Sequence, residues 1–378
     1  MEHIVYLDNS STTKPCGRAV KYMNEALEKY WGNPSSLHTL GMEAEIAVSS
    51  ARKAAAKSIG ARADEIIFTG SGTEANNTAL LTALRGKARG GRIITTSIEH
   101  PSVLETVKRL ENEGFEVIRL KPRPDGKIEL KALEECLTAD TVMASIMLVN
   151  NEIGAIQPIA EAVRIVKAAA PRALFHCDAV QGYGKLPMDV KKSGVDLMTA
   201  SAHKIHGPKG IGFLFVKKGT ALSPLITGGG QENGLRSGTE PVPLICGFKG
   251  AIEELPVLSE QYDRQSELNA YARTLLSKCG GLVFNSPDDA LPYILNISLP
   301  GYRSETLLHF LERKGIFVSS GSACAKGAGS YVLKEIGLDR RRTDGALRIS
   351  FSRDNTKEDV ERLYSALCEA VKQLRKAD

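Results

Sequence analysis

An α/β architecture built on a mostly parallel sheet is expected from two features of the chain. Between about residue 65 and residue 216, short apolar and β-branched runs alternate with longer amphipathic or alanine-rich ones, the rhythm of strands joined by crossover helices. Polar residues of unusual chemistry follow directly on several of these runs, and in open α/β sheets ligands bind outside the carboxyl ends of the strands. The strand candidates are Glu65–Thr69, Arg92–Ser97, Phe115–Leu120, Thr141–Asn150, Ala173–Asp178, Asp196–Ser201 and Gly212–Val216. Helical patterns lie between several of them, at Glu74–Leu84, Val103–Asn112 and Ile159–Ala169, with Gly114 and Pro171 as punctuation. A glycine- and proline-rich stretch from Thr227 to Pro243 reads as a hinge, followed by a long helix over Leu258–Cys279. The remainder reads as a smaller α+β domain, with strands at Tyr293–Leu299, Ile316–Ser319 and Ala346–Ser352 and helices near Ser304–Arg313 and Thr356–Arg375. Thr356 and Asp359 suit the start of that last helix.

At 378 residues the chain has room for two domains, or for one large domain with a smaller partner. Its 49 Lys+Arg against 44 Asp+Glu leave a net charge of +5, too thin for direct contact with nucleic acid, which requires a basic face or helix. The densest basic cluster, Arg340-Arg341-Arg342, reads as a solvated loop. No stretch approaches the roughly 18 apolar residues of a membrane span, and Met1 to Tyr6 lack the basic start and apolar core of a signal peptide. A cytoplasmic protein with no membrane partner is expected. Seven cysteines, odd in number and without CxxC spacing, do not make a disulfide framework. A special cysteine here would be a chemical one.

Several segments could carry chemistry. After the first strand candidate the chain reads Gly70-Ser71-Gly72-Thr73 and enters a helix at Glu74, and a strand, a glycine loop and a helix N-terminus together suit a phosphate. An ordinary turn capped by Thr73 fits the same residues. Asp178 ends a strand with Gln181 just beyond; a carboxylate there could hold a cationic ring nitrogen such as that of pyridoxal phosphate (PLP), and Gln181 could bond a ring substituent. Thr199-Ala200-Ser201-Ala202-His203-Lys204 puts a lysine where a Schiff-base lysine would sit, beside hydroxyl and imidazole donors suited to phosphate. His203 and His206 have no thiolate or carboxylate at ligand spacing, so no metal is expected. His100, before Pro101, could stack on a flat ring and move protons, or simply open a helix. Asn151 offers an amide at another strand end. Val318 to Gly329 is a run of small residues around one thiol, Cys324, which is either a travelling nucleophile, especially if Lys326 helps to stabilise its thiolate, or an exposed cysteine without a role. Arg348 stands inside an apolar strand, where either a bound carboxylate or a structural ion pair would account for it.

Taken in order, these segments resemble the cysteine desulfurases of the NifS-like branch of PLP enzymes, within the class V aminotransferase group. The resemblance rests on Tyr6-Leu7-Asp8-Asn9-Ser10, Gly32-Asn33-Pro34-Ser35-Ser36-Leu37-His38, Gly72-Thr73-Glu74-Ala75-Asn76-Asn77, Glu99-His100 and Asn150-Asn151-Glu152-Ile153-Gly154. It continues through His176 to Gln181, Ser201-Ala202-His203-Lys204, Gly228-Gly229-Gly230-Gln231-Glu232, Arg236-Ser237-Gly238-Thr239 and Ser320-Gly321-Ser322-Ala323-Cys324. It implies a type I PLP-dependent transferase fold, with a large PLP-binding domain over 14–255 and a small domain made of 1–13 and 256–378. By resemblance, Lys204 carries the cofactor, Asp178 pairs with its pyridine nitrogen, Gln181 and Asn151 contact the ring side and His100 stacks on it. Gly72, Thr73, Ser201 and His203 would hold the phosphate, completed by Thr239 from the second protomer of a homodimer. Asn33, Asn151 and Arg348 would receive the substrate, with its α-carboxylate on Arg348.

The activity so implied converts L-cysteine to L-alanine. Lys204 would act as the base, and Cys324 would take the sulfur as a persulfide for a sulfur-acceptor protein, an iron–sulfur scaffold or a tRNA-thiolation enzyme. Two departures stand out. Ser11 replaces the alanine expected in the opening motif, a chemically minor change. The span from Cys324 to Ser330-Tyr331-Val332-Leu333 is a couple of residues shorter than in the branch that feeds iron–sulfur scaffolds, which leaves the acceptor open. Selenocysteine lyase and true class V aminotransferase are the alternative activities, and a non-enzymatic partner-binding paralogue is a third reading. A transaminase needs no thiol, which sets Cys324 against the second of these.

Overall fold

The computed structural model describes residues 4–85, 91–320 and 329–376, so Cys324 lies outside the described residues. Chain order begins with β1 (Val5–Tyr6), α1 (Gly17–Lys29), α2 (Thr39–Ser58), β2 (Ile66–Thr69), α3 (Gly72–Leu81), β3 (Arg92–Thr96), α4 (Pro101–Asn112) and β4 (Glu116–Leu120). Next come α5 (Leu130–Cys136), β5 (Thr141–Met147), α6 (Ile159–Ala169), β6 (Leu174–Asp178), α7 (Val190–Ser193), β7 (Leu197–Ser201) and β8 (Gly212–Val216). The last third holds α8 (Val242–Glu253), α9 (Leu258–Leu276), β9 (Val283–Phe284), β10 (Ile294–Ser298), α10 (Ser304–Glu312) and β11 (Ile316–Phe317). It ends with α11 (Tyr331–Glu335), α12 (Arg340–Asp344), β12 (Ala346–Ser350) and α13 (Lys357–Gln373).

A seven-stranded sheet of order β2-β8-β7-β6-β5-β3-β4 forms the centre. Its strands from β7 to β4 pair in parallel, whereas β8 runs antiparallel to both neighbours. Strands β5 to β8 are nearly continuous apolar runs because helices cover both faces of the sheet. On one face Tyr183 meets Phe213 edge-on at 5.3 Å between ring centroids, and Phe213 stacks on Phe248 at 5.8 Å. On the other, α3 and α4 bury Ala75, Ala79, Leu80, Val103 and Val107.

The stretch expected to be a hinge as far as Pro243 instead gives way to α8 at Val242. Two prolines at a helix start read like loop punctuation, but at the first helical positions proline costs the helix no hydrogen bond. Helix α8 packs closely on α1, and a Cβ added at Gly250 would sit 2.7 Å from the carbonyl oxygen of Arg18. The arginine cluster is likewise a short helix, α12, rather than a solvated loop. Asp339 caps it by accepting from the Arg342 N–H, and the Arg342 guanidinium donates to Phe284 O and Asn285 Oδ1.

A second core surrounds the three-stranded sheet β12-β10-β9 and the β1–β11 pair, with Leu295, Ile297, Leu347, Ile349, Leu363 and Leu367 buried inside it. The N-terminal segment therefore joins the C-terminal third. Val5 and Tyr6 pair with Ile316 and Phe317, and Asp8 bridges to Ser350. Among the described residues no helix is long and apolar enough to cross a membrane.

Candidate active site

The carboxyl ends of β5, β6 and β7 and the N-termini of α3 and α4 enclose a cavity of about 170 Å³. Gly72, Thr73, His100, Asn151, Asp178, Gln181, Ser201, His203 and Lys204 all line it. Cofactor, catalytic and substrate candidates from separate segments thus meet in one place. Arg348 stands at its edge through a 3.0 Å hydrogen bond from Nη1 to the Asn151 carbonyl. Asn33 and Thr239 are exposed and outside the lining, and Asn33 Oδ1 accepts from the Ser35 N–H in a local turn.

Asp178 ends β6 pointing into the cavity. Its Oδ2 accepts from Asn76 Nδ2 at 2.7 Å and its Oδ1 from the Val180 N–H at 3.0 Å. One donor on each oxygen fixes the carboxylate and leaves lone pairs for a cation in front of it. Asn76, in the second turn of α3, also donates to Ser102 Oγ at 2.9 Å. Sequence reasoning gave Asn76 no role. Its position four residues beyond Gly72 places it one helical turn from the loop, and that spacing was the available signal.

Helix α3 begins at Gly72, two residues earlier than expected, and its cap is Ser71, whose hydroxyl accepts from the Glu74 N–H, rather than Thr73. The N–H groups of Gly72 and Thr73 therefore stand in the first turn, where no intrahelical acceptor exists. A Cβ at Gly72 would lie 2.9 Å from Val180 Cγ2, so only glycine lets this loop sit against the cavity wall. Among the described residues the Oγ of Ser201 faces the same space without a hydrogen-bond partner, as do Asn76 Oδ1 and Asn151 Oδ1. Buried polar atoms left unpaired are costly, and three on one cavity fit a polar guest bearing both donors and acceptors.

His100 both caps α4 and lines the cavity, so opening the helix does not take it away from the site. Its Nδ1 accepts from the Ser102 N–H at 3.1 Å and faces Ser102 Oγ at 2.8 Å, which leaves the proton of the neutral ring on Nε2. Burial lowers its pKa and Lys204 adds to the lowering, against the opposing pull of Asp178. His203 is driven down to about 4 by burial and then by Lys204. Both imidazoles are neutral at pH 7.

Lys204 Nζ donates to the carbonyls of Ser10 at 2.5 Å and Ser11 at 2.8 Å. Gln181 Nε2 also donates to the Ser10 carbonyl, and its Oε1 accepts from Lys185 Nζ at 3.3 Å. Lys185 is buried and was not singled out in the sequence. Burial, then Lys204 and Arg348, lower its pKa to about 7, so the interior already carries much positive charge near Lys204.

Glu99, next to His100, is fully buried; Oε1 accepts from Thr96 Oγ1 and the Met147 N–H, and Oε2 has no partner among the described residues. Burial raises its pKa to about 8. Between pH 4.5 and 8 the folded state keeps a proton that the unfolded state releases, so this group's contribution to stability falls as pH rises through that window. Replacing Glu99 with Gln is expected to change the melting temperature little at about pH 5 and to raise it relative to wild type at about pH 9, by about 2 °C or more. Calorimetric scans of both proteins at the two pH values check this, and a gap independent of pH would contradict it.

The family model for class V aminotransferases matches residues 5–363. The chain belongs to the class V aminotransferase family, a family of PLP enzymes. Within it, the chain is 40% identical over 377 residues to a cysteine desulfurase of Trichormus azollae, covering 98% of this chain and 94% of that one. Among solved structures, a NifS-like protein superposes with a TM-score of 0.93 at 39% identity, covering 98% of this chain and all of the other. SspA in complex with cysteine superposes with a TM-score of 0.83 at 34% identity, covering 92% and 98% of the two chains.

Proposed function

We propose that the protein is a PLP-dependent cysteine desulfurase that converts L-cysteine to L-alanine and passes the sulfur to an acceptor protein by way of Cys324. The observation that carries this reading is the convergence of Lys204, Asp178, His100 and a glycine-started helix on one cavity lined with unpaired polar atoms. Bound PLP would supply an electron sink for carbanionic charge at the substrate α-carbon. Gly72, Thr73, Ser201 and His203 would hold its phosphate, Lys204 would carry it, and Asp178 would stabilise a protonated ring nitrogen. Neutral His100 would cover the ring and present an N–H at Nε2. Asn151 and Gln181 border the ring side, and Arg348 receives the α-carboxylate.

The sulfur balance is simple. The substrate C–S bond breaks and an S–S bond to Cys324 forms, so L-cysteine and the enzyme thiol become L-alanine and an enzyme persulfide, with no external oxidant. A division into 14–255 and 1–13 with 256–378 fits the two separate cores. A homodimer fits Leu27, Trp31, Leu37, Met42 and Ile46, large apolar side chains exposed together on α1, α2 and their connection. In such a dimer the exposed Thr239 would reach the partner's phosphate.

The test is a product assay on the PLP-loaded protein with L-cysteine and a thiol reductant. Alanine and sulfide in equal amounts are expected. Pyruvate and ammonia in place of alanine would make it a β-eliminating enzyme, and an amino-group transfer to a 2-oxo acid without sulfide would make it an aminotransferase.

A further inference from the structure

Ser11 stands where alanine was expected, and the structure gives its hydroxyl a place in the substrate site. Arg348 Nη2 donates to Asp8 Oδ1 at 2.8 Å and to Ser11 Oγ at 2.6 Å, while Ser11 Oγ donates to the same Asp8 oxygen at 2.8 Å. Nη1 donates to the Asn151 carbonyl, and Nε is buried with no partner among the described residues. The turn that holds Ser11 is fixed. Asn9 and Ser10 bond to Ser350 on β12, two residues along the strand from Arg348, and the Ser11 N–H donates to the Asp8 carbonyl.

A guanidinium grips a carboxylate through one of two edges, Nη1 with Nη2 or Nε with Nη2. Both edges include Nη2, which already donates to both Asp8 and Ser11. A carboxylate binding bidentately through either edge must therefore compete with Asp8 and Ser11 for Nη2. Asp8 is an ion pair partner, and hydrogen bonds between ions are stronger than those to a neutral hydroxyl. The Ser11 hydroxyl also keeps its donation to Asp8 when it lets go, so its departure leaves no orphaned donor.

We infer that Ser11 is a positioning residue whose hydroxyl holds the place of one substrate carboxylate oxygen on Arg348 and is displaced when the substrate binds. The inference deepens the functional reading above and rests on Arg348 as the carboxylate receiver. The hydroxyl keeps the guanidinium satisfied and oriented in the free enzyme, and the substrate must compete with it. Alanine at this position would leave Asp8 as the only side-chain acceptor on Nη2 among the described residues.

The experiment compares the holoenzymes of wild type, Ser11→Ala, Ser11→Thr and Arg348→Ala. Two readouts are taken: the KM for L-cysteine, and the dissociation constant of 3-(methylthio)propionate, a carboxylate with neither amine nor free thiol, by calorimetry. Ser11→Ala is expected to lower both by about two- to tenfold, the weight of one neutral hydrogen bond, while Ser11→Thr, which keeps the hydroxyl, stays with wild type. Arg348→Ala is expected to raise both by about ten- to a hundredfold, as for lost hydrogen bonds to a charged group. If Arg348→Ala raises them but Ser11→Ala leaves them unchanged or raises them, the place-holding role is wrong and the Arg348 reading stands. If Thr behaves as Ala does, the hydroxyl is not the cause and the inference also fails. If Arg348→Ala changes neither, the carboxylate reading itself falls, and the place-holding role with it.

Discussion

Replacing Lys204 with Ala is expected to abolish the visible absorbance of lysine-bound PLP and to slow alanine release from L-cysteine by about 100- to 10,000-fold, the range for losing a positioned acid–base group. The geometry supports an effect of this size. Lys204 follows β7 on a single turn of 3-10 helix, and its amine is held at the cavity by the Ser10 and Ser11 carbonyls. It faces Asp178 and His100 across the lining. The other buried amine nearby, Lys185, is tied to Gln181 and outside that lining, so it should not substitute. A spectrum unchanged in the Lys204→Ala protein would remove Lys204 from the role, and loss of absorbance on replacing Lys185 with Met instead would reassign it.

How much of this was legible in the chain differs from element to element. The seven central strands were found within a few residues because buried parallel strands are written as apolar runs, and β6 and β7 ended at the polar residues that now face the cavity. Helices α1 and α2 were not singled out, although Pro15 precedes the first and Gly60 follows the second, and α8 was hidden behind two prolines. The cavity residues were readable because each follows directly on a strand or opens a helix. Pairings between distant residues were not. That Arg348 stood in an apolar strand signalled a partner, but its partner in the structure is Asp8, 340 positions away. The same holds for Asn76 and Asp178. Nor could composition show that a serine hydroxyl in the opening motif would fall between Asp8 and Arg348, which is why that change looked minor.

The largest effect is expected at Cys324. In a reductant-containing assay, Cys324→Ala should release neither alanine nor sulfide from L-cysteine, while Cys177→Ala keeps both products and loses only some thermal stability. The thiolate is the attacking form, so a sulfur acceptor needs access and a pKa that burial has not raised. Five of the six other cysteines have thiols that burial raises, and none of the six lines the cavity. Cys177 is nearest in sequence to the site, next to Asp178, but it is fully buried in β6, and burial with the Asp178 and Glu99 charges raises its thiol well above the usual value. Burial pushes Cys246 up to about 11 and Cys279 to about 12, and it also raises Cys16 and Cys136. Cys368 lies on α13, hydrogen-bonded with Cys279 and away from the cavity. Cys324 is therefore the cysteine we propose as the sulfur acceptor. Persistent alanine and sulfide from the Cys324→Ala protein would mean that sulfur departs without an enzyme persulfide, and the transfer chemistry would have to be rewritten around free sulfide.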